Sequence, residues 1–398
     1  MRTAGSAVKA VVRYRRPGPE CWDAVVTAVC EETRHSWDAA RALAQAGAAV
    51  SAHADRIAKA LDERRGRADE LACALAGLGD LRALPALRRL AKDGHFPTYR
   101  MHVRVLAALP AAELLPTMRA VLRQDPPKYH ASTSVLELLA QWGPASAPAL
   151  PEVLPYLDGP YAYDALRVLG RIGPAAAVAA DRLADFAAGR APRSARHHPR
   201  TAAWAHWRAT GDPVLALDVC GAAAASGSAS HGLPFLADLG PLAAAHADTV
   251  RGLMESPGAW TRVAAAHAYW RITGDAEPAV PVLLAEVDPE WTGLPALPRR
   301  EAVRHLGEIG APAAAAAPLL RRILAAEERL SHPYDNVRIL ADEAYVRTLT
   351  EASARIGAGT AGPAAAPTPA PERTPEPSPE LRPGVLARWL GPPGARTR

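Results

Sequence analysis

The 398-residue chain is poor in several residue types that would have narrowed its function at once. It has three Phe among its 5% aromatics. Its four cysteines, Cys21, Cys30, Cys73 and Cys220, form no C-x-x-C pair and no zinc spacing. They therefore read as reduced thiols buried in a cytoplasmic protein. Its only lysines are Lys9, Lys59, Lys92 and Lys128, so nearly every cation is Arg. No window approaches the ~18 unbroken apolar residues of a membrane span. The N-terminus "MRTAGSAVKAVVRYRRPGPE" is basic but lacks the apolar core of a secretory signal. No phosphate-cradling glycine loop, no G-x-S-x-G and no H-E-x-x-H occurs, so no catalytic, cofactor or metal motif is expected.

The net charge of +5 invites a nucleic-acid reading, and its distribution argues against one. With +5 in residues 1–16 (Arg2, Lys9, Arg13, Arg15 and Arg16, with no acid) and +2 in the tail from 358, the body at 17–357 carries −2. A nucleic-acid binder wears its cations as a patch on the folded domain. Here the excess sits at the ends, and residues 1–16 read as a basic, disordered arm.

What the chain does have is apolar residues, 49% of the total, dominated by Ala and Leu, together with 38 Pro and 29 Gly. That mixture suits many short, punctuated helices. Breaks fall at Gly47, Gly79, Pro110, Gly143, Gly173, Gly211, Gly240, Gly274 and Gly310, in steps of 29 to 38 residues. A period in this range signals stacked helix pairs. Four residues before each break stands a large apolar residue: Leu43, Leu75, Leu106, Leu139, Leu169, Trp207, Leu236, Trp270 and Leu306. Three before, the residue is small in seven cases, with Arg208 and Arg271 as exceptions. A large knob beside a small hole is what two packed helices require. Gly at the break permits the left-handed backbone that ends a helix. The following Asp (Asp80, Asp212, Asp275) or Pro (Pro144, Pro174, Pro241) starts the next one. The expected fold is all-α, a solenoid of about nine or ten helix pairs over 17–357, since helices of ~10 residues are stable only against neighbours.

The unit "ALAGLGDLRALPALRRL" (74–90) resembles the HEAT-like repeat of the phycobilisome-lyase type, with its A-x-x-L-x-x-L-G-D-x-x-A-x-P-x-L core. "AYWRITGDAEPAVPVLL" (268–284) repeats it with one inserted residue. "DALRVLGRIGPAAAVAADRL" (164–183), "EAVRHLGEIGAPAAAAAPLLRRIL" (301–324) and "YDNVRILADEAYVRTL" (334–349) resemble ordinary HEAT units. The resemblance covers roughly 20–356, with Pro110 and the stretch "GRAPRSARHHPR" (189–200) as departures from the period. It implies an interaction scaffold and carries no catalytic residue onto this chain. By the same resemblance, the helix before each Gly lines a concave face.

Six residues before the breaks, on that helix, stand Arg41, Cys73, Arg104, Glu137, Arg167, Ala205, Pro234, Ala268 and Arg304, five of them charged where neither core packing nor capping calls for charge. These five are the candidate partner-binding residues, suited to an acidic segment of a protein partner. A second series nine after the breaks, Arg56, Arg88, Arg119, Glu152 and Arg182, belongs to the other helix layer. The bland reading of either series is a solvated face or Arg–carboxylate pairing between repeats. The thirteen histidines, His197-His198 and His206 among them, read as loop and helix-surface residues. Ser228, Ser230 and His231 read as a loop. Trp207 and Trp270 read as core. Residues 358–398 form a Pro/Ala-rich disordered tail, in which Leu386, Trp389 and Leu390 near 384–391 mark either a frayed turn or a short docking helix. The leading reading is a protein-binding scaffold. The alternatives are a HEAT-like grip on nucleic-acid backbone and a lyase-like or chaperone role toward a chromophore.

Overall fold

The structure is a computed structural model, and it describes residues 4–31, 36–63, 67–93, 103, 105–124, 129–190, 198–226, 232–288, 290, 297–331 and 335–358. These residues are helical, and no strand occurs among them beyond one isolated bridge between Tyr14 and Glu328. The first helices are α1 (Ala4–Arg13), α2 (Pro19–Cys30), α3 (Ser36–Leu43), α4 (Ala54–Asp62), α5 (Ala68–Gly77), α6 (Leu84–Lys92) and α7 (Ala111–Leu122). Next come α8 (Tyr129–Trp142), α9 (Leu150–Val153), α10 (Ala162–Ile172), α11 (Ala180–Ala187), α12 (Pro199–Thr210) and α13 (Val214–Ala225). The chain continues through α14 (Leu233–Leu239), α15 (Ala247–Gly252), α16 (Ala259–Thr273), α17 (Ala279–Ala285), α18 (Leu297–Ile309), α19 (Ala317–Ala325) and α20 (Asp335–Ala358).

The punctuation does what its chemistry predicts. All eight glycine breaks have positive φ, for example +74° at Gly173, where any side chain would strain the backbone. After the break, Asp80, Asp212 and Asp275 each accept a hydrogen bond from the backbone N–H two residues on, at 3.0 Å. Pro144, Pro174 and Pro241 enter short 3₁₀ segments instead, where their missing N–H costs nothing.

The leucine column is buried in all seven of its leucines. Trp207 and Trp270 differ from expectation: both are only partly buried at the core's edge. Trp204, on the same helix as Trp207, fills the interior instead and is 1% exposed. Its ring occupies the space a side chain at Gly170 would need, since a Cβ there would lie 2.1 Å from it. Small residues in this column thus let successive helices approach closely. In consequence α8 packs on α10, α10 on α12, α14 on α16, α16 on α18 and α18 on α20.

The N-terminal arm is a correction. Residues 4–13 form α1, within the same compact unit as the other helices. Its Ala7, Ala10 and Val11 are buried, because the apolar residues between the cations lie on one helical face. Both α1 and α3 pack against α20, so the two ends of the described chain meet. Three buried side chains hold this junction. Arg15 binds Asp342 through Nε and Nη2, the latter at 2.9 Å from Oδ1. Arg329 reaches the other oxygen of Asp342 at 3.2 Å and donates Nε–H to the Val11 carbonyl at 3.1 Å. The backbone N–H of Leu340 adds a bond to Gln45 Oε1 at 3.3 Å. The tail 359–398, where the sequence offered either a frayed turn or a docking helix near 384–391, lies outside the described residues. No described helix is long and apolar enough to cross a membrane, and all four cysteines are buried free thiols.

Candidate functional site

The two charged columns meet different surroundings. In the second series, every described Arg binds an acid of a neighbouring repeat. Arg56 donates to Asp23 at 3.1 Å and to the Thr27 hydroxyl at 2.7 Å. Arg88 reaches Glu113 at 3.3 Å. Arg119 makes two bonds of 3.0 Å with Glu152, itself a member of the series one repeat on. Arg182 reaches Asp158 at 2.7 Å. Arg262, outside this series on α16, pairs instead with Glu286 at the end of the next helix, at 2.8 Å from Nε. This series is an ion-pair ladder between repeats, the bland alternative of the sequence reading.

In the first series, Arg41 and Arg167 are half-buried on α3 and α10. Each lies over an aromatic ring one turn earlier on its own helix. Arg41 stands 4.3 Å from the Trp37 ring centroid and Arg167 5.8 Å from that of Tyr163. Trp37 is 52% exposed, so the pair is presented to solvent. Among the described residues, neither guanidinium has a carboxylate partner. An aromatic ring covers one face of a guanidinium and leaves its N–H edge available to an acid. Glu137 is half-buried on α8 and makes interactions of its own. Arg104 lies outside the described residues.

Arg304 departs from expectation. On α18 it binds Glu301 at 2.6 Å and Glu308 at 2.5 Å, its own neighbours at i−3 and i+4. The acid at i+4, which Arg41 and Arg167 lack, is visible in the sequence and is the signal that marks Arg304 as structural. The structure brings it into a cluster the sequence reading missed. His267 on α16 and His305 on α18, both buried, stack with ring centroids 3.6 Å apart and planes 16° from parallel. Glu308 Oε2 lies 3.0 Å from His267 Nε2 and 3.3 Å from His305 Nδ1. Burial pushes both imidazoles below their ordinary range, and Arg304 adds to the effect against the pull of Glu308. Burial works against the charge of Glu308 as well, but its contacts to the histidines and to Arg304 hold the carboxyl well below the usual range.

The chain matches no known family model. It matches no curated protein sequence either.

Proposed function

We propose that the chain is a non-enzymatic scaffold whose helix pairs stack as a HEAT-like solenoid and whose glycine-ended helices bind an acidic segment of a protein partner. Arg41 and Arg167 form part of that surface, with Arg104 in the same column. One observation carries the reading. The four arginines nine residues after a break, Arg56, Arg88, Arg119 and Arg182, are spent on neighbouring carboxylates, whereas Arg41 and Arg167 rest on aromatic rings with no carboxylate bonded to them among the described residues. Restraint by the ring lowers the side-chain entropy lost on binding, and the open N–H edge suits bidentate pairing with a carboxylate. Arg304, held by Glu301 and Glu308, stays outside this surface.

The test is fluorescence anisotropy with a labelled oligoglutamate peptide and a DNA duplex as competitor. The peptide should bind, and binding should fade as the Debye length falls from ~10 Å at 0.1 M salt to ~3 Å at 1 M. A duplex that binds more tightly than the peptide overturns the reading in favour of nucleic acid. No binding of either at low salt removes the acidic-segment reading altogether.

A further inference from the structure

The geometry points to a divalent transition-metal site between α16 and α18, with His267, His305 and Glu308 as its ligands. The candidate donor atoms all lie within 4.8 Å of one another. Ligands bound at ~2.0–2.2 Å around a tetrahedral ion stand about 3.3 Å apart. The measured separations of 3.0 Å and 3.3 Å, each from Glu308 Oε2 to an imidazole nitrogen, fit that edge.

A hydrogen-bonded trio is the competing account, and one atom speaks against it. His267 Nε2 is buried and close to Glu308 Oε2, yet the oxygen lies off the direction any N–H there would take, and the nitrogen has no aligned hydrogen bond. A buried polar atom left without a bond is costly in a hydrogen-bonded core. A short, misaligned nitrogen–oxygen contact is what two ligands of one ion present.

The chemistry of the set selects the ion. Two imidazoles and one carboxylate suit Zn²⁺ and its first-row neighbours, whereas Mg²⁺ and Ca²⁺ demand oxygen throughout. Arg304 takes the Oε1 atom of Glu308 and leaves Oε2 for the metal. On the far side of the His305 ring, Arg304 Nη2 lies 3.4 Å from Nε2 and Glu301 stands at 4.0 Å, so Nε2 is engaged away from the site and Nδ1 is the atom that faces it. With the imidazoles neutral, Glu301 and Glu308 outweigh Arg304 by one negative charge, while Arg271 also acts on His267 from its own helix. Stacked rings cannot both aim their lone pairs at one ion, so binding turns one ring. His267 is that ring, since no aligned hydrogen bond holds it. Three protein ligands leave a fourth position for water or a small donor. The ion would tie two consecutive repeats at a place no column of the sequence marks.

The experiment is a Co²⁺ titration of the full, tag-free chain after chelator treatment, read by visible absorbance and by displacement with Zn²⁺. One equivalent should bind with the strong absorbance of a four-coordinate ion, and the melting temperature should rise with metal. X-ray absorption of the Zn²⁺ complex should show two imidazoles in the shell. His267→Gln should weaken binding at least ~100-fold, beyond the ~10–100-fold that loss of an outer partner costs. A His197→Gln/His198→Gln variant should bind as the parent does. Absence of stoichiometric binding, a shell without two imidazoles, or a folded His267→Gln chain that binds normally each overturns the assignment. The first two readouts use the parent chain and stand however the variants fold.

Discussion

The Arg182–Asp158 rung of the ladder and the junction between the chain's ends use the same pair chemistry at opposite extremes of burial. In the ladder, the Arg182 and Asp158 side chains are 41% and 58% exposed. At the junction, those of Arg15, Arg329 and Asp342 are 7%, 2% and 0% exposed. In water-rich surroundings the attraction is weak and screened. In the interior, the pair must be complete, because an unpartnered buried charge has no solvent to fall back on. The exposed rungs of the ladder therefore set register between repeats at little energetic consequence, while the junction decides whether the ends stay together.

The first way to break this comparison is Asp342→Ala, which leaves the buried Arg15 guanidinium without a carboxylate and Arg329 with Glu343 alone, 2.8 Å away. It should cost ~3–5 kcal/mol in urea unfolding, and hydrogen exchange should rise in α1 and α20 together. A loss below ~1 kcal/mol would mean the junction is not closed in solution. Leu169→Ala supplies the apolar reference. Leu169 is fully buried in the leucine column, so its truncation should cost ~2–5 kcal/mol by the same measurement.

Glu70 on α5 sharpens the comparison, being a buried acid with poorer partners than Asp342. Burial first, and then Asp69 beside it, pushes its carboxyl up to about 7, against the pull of Arg67, whose Nε lies 2.9 Å away. The ordinary value is 4.5, so the folded state holds the proton more tightly than the unfolded one. Its contribution to stability is full below about 4.5, falls as pH rises to about 7 and is flat beyond. Glu70→Gln should remove that slope, checked by urea titrations at pH 5 and pH 8. An unchanged slope would show that Glu70 is ionised throughout. The smallest effect belongs to the ladder: Arg182→Ala should cost ~0.2–1 kcal/mol and lose part of that at high salt.

Most of the fold was legible because the breaks carry their own chemistry. Gly79, Gly173 and Gly310 announce positive φ, Asp80 and Asp275 announce the next helix, and the leucine column announces its buried face. The helix at 4–13 was hidden by charge: five cations obscured the Ala7, Ala10 and Val11 face, and the acids that receive Arg13 and Arg15 lie more than 300 residues away. The histidine cluster was hidden by register. His267 stands seven residues before its break and His305 five, so aligned columns keep them apart. Only the packing of α16 on α18 brings them together. Among the candidate binding residues, column position alone does not separate Arg41 and Arg167 from Arg304. The acid at i+4 makes that separation: Glu308 follows Arg304, whereas Gln45 and Arg171 follow Arg41 and Arg167.

The most direct test of the scaffold reading is a pair of double charge reversals assayed with the same labelled oligoglutamate peptide. Arg41→Glu with Arg167→Glu should leave the melting temperature nearly unchanged and abolish peptide binding. Arg56→Glu with Arg182→Glu, in the ladder, should lower the melting temperature and leave binding intact. Unchanged binding in the Arg41/Arg167 variant, or loss of binding confined to the ladder variant, would contradict the assignment of the partner surface to the glycine-ended helices.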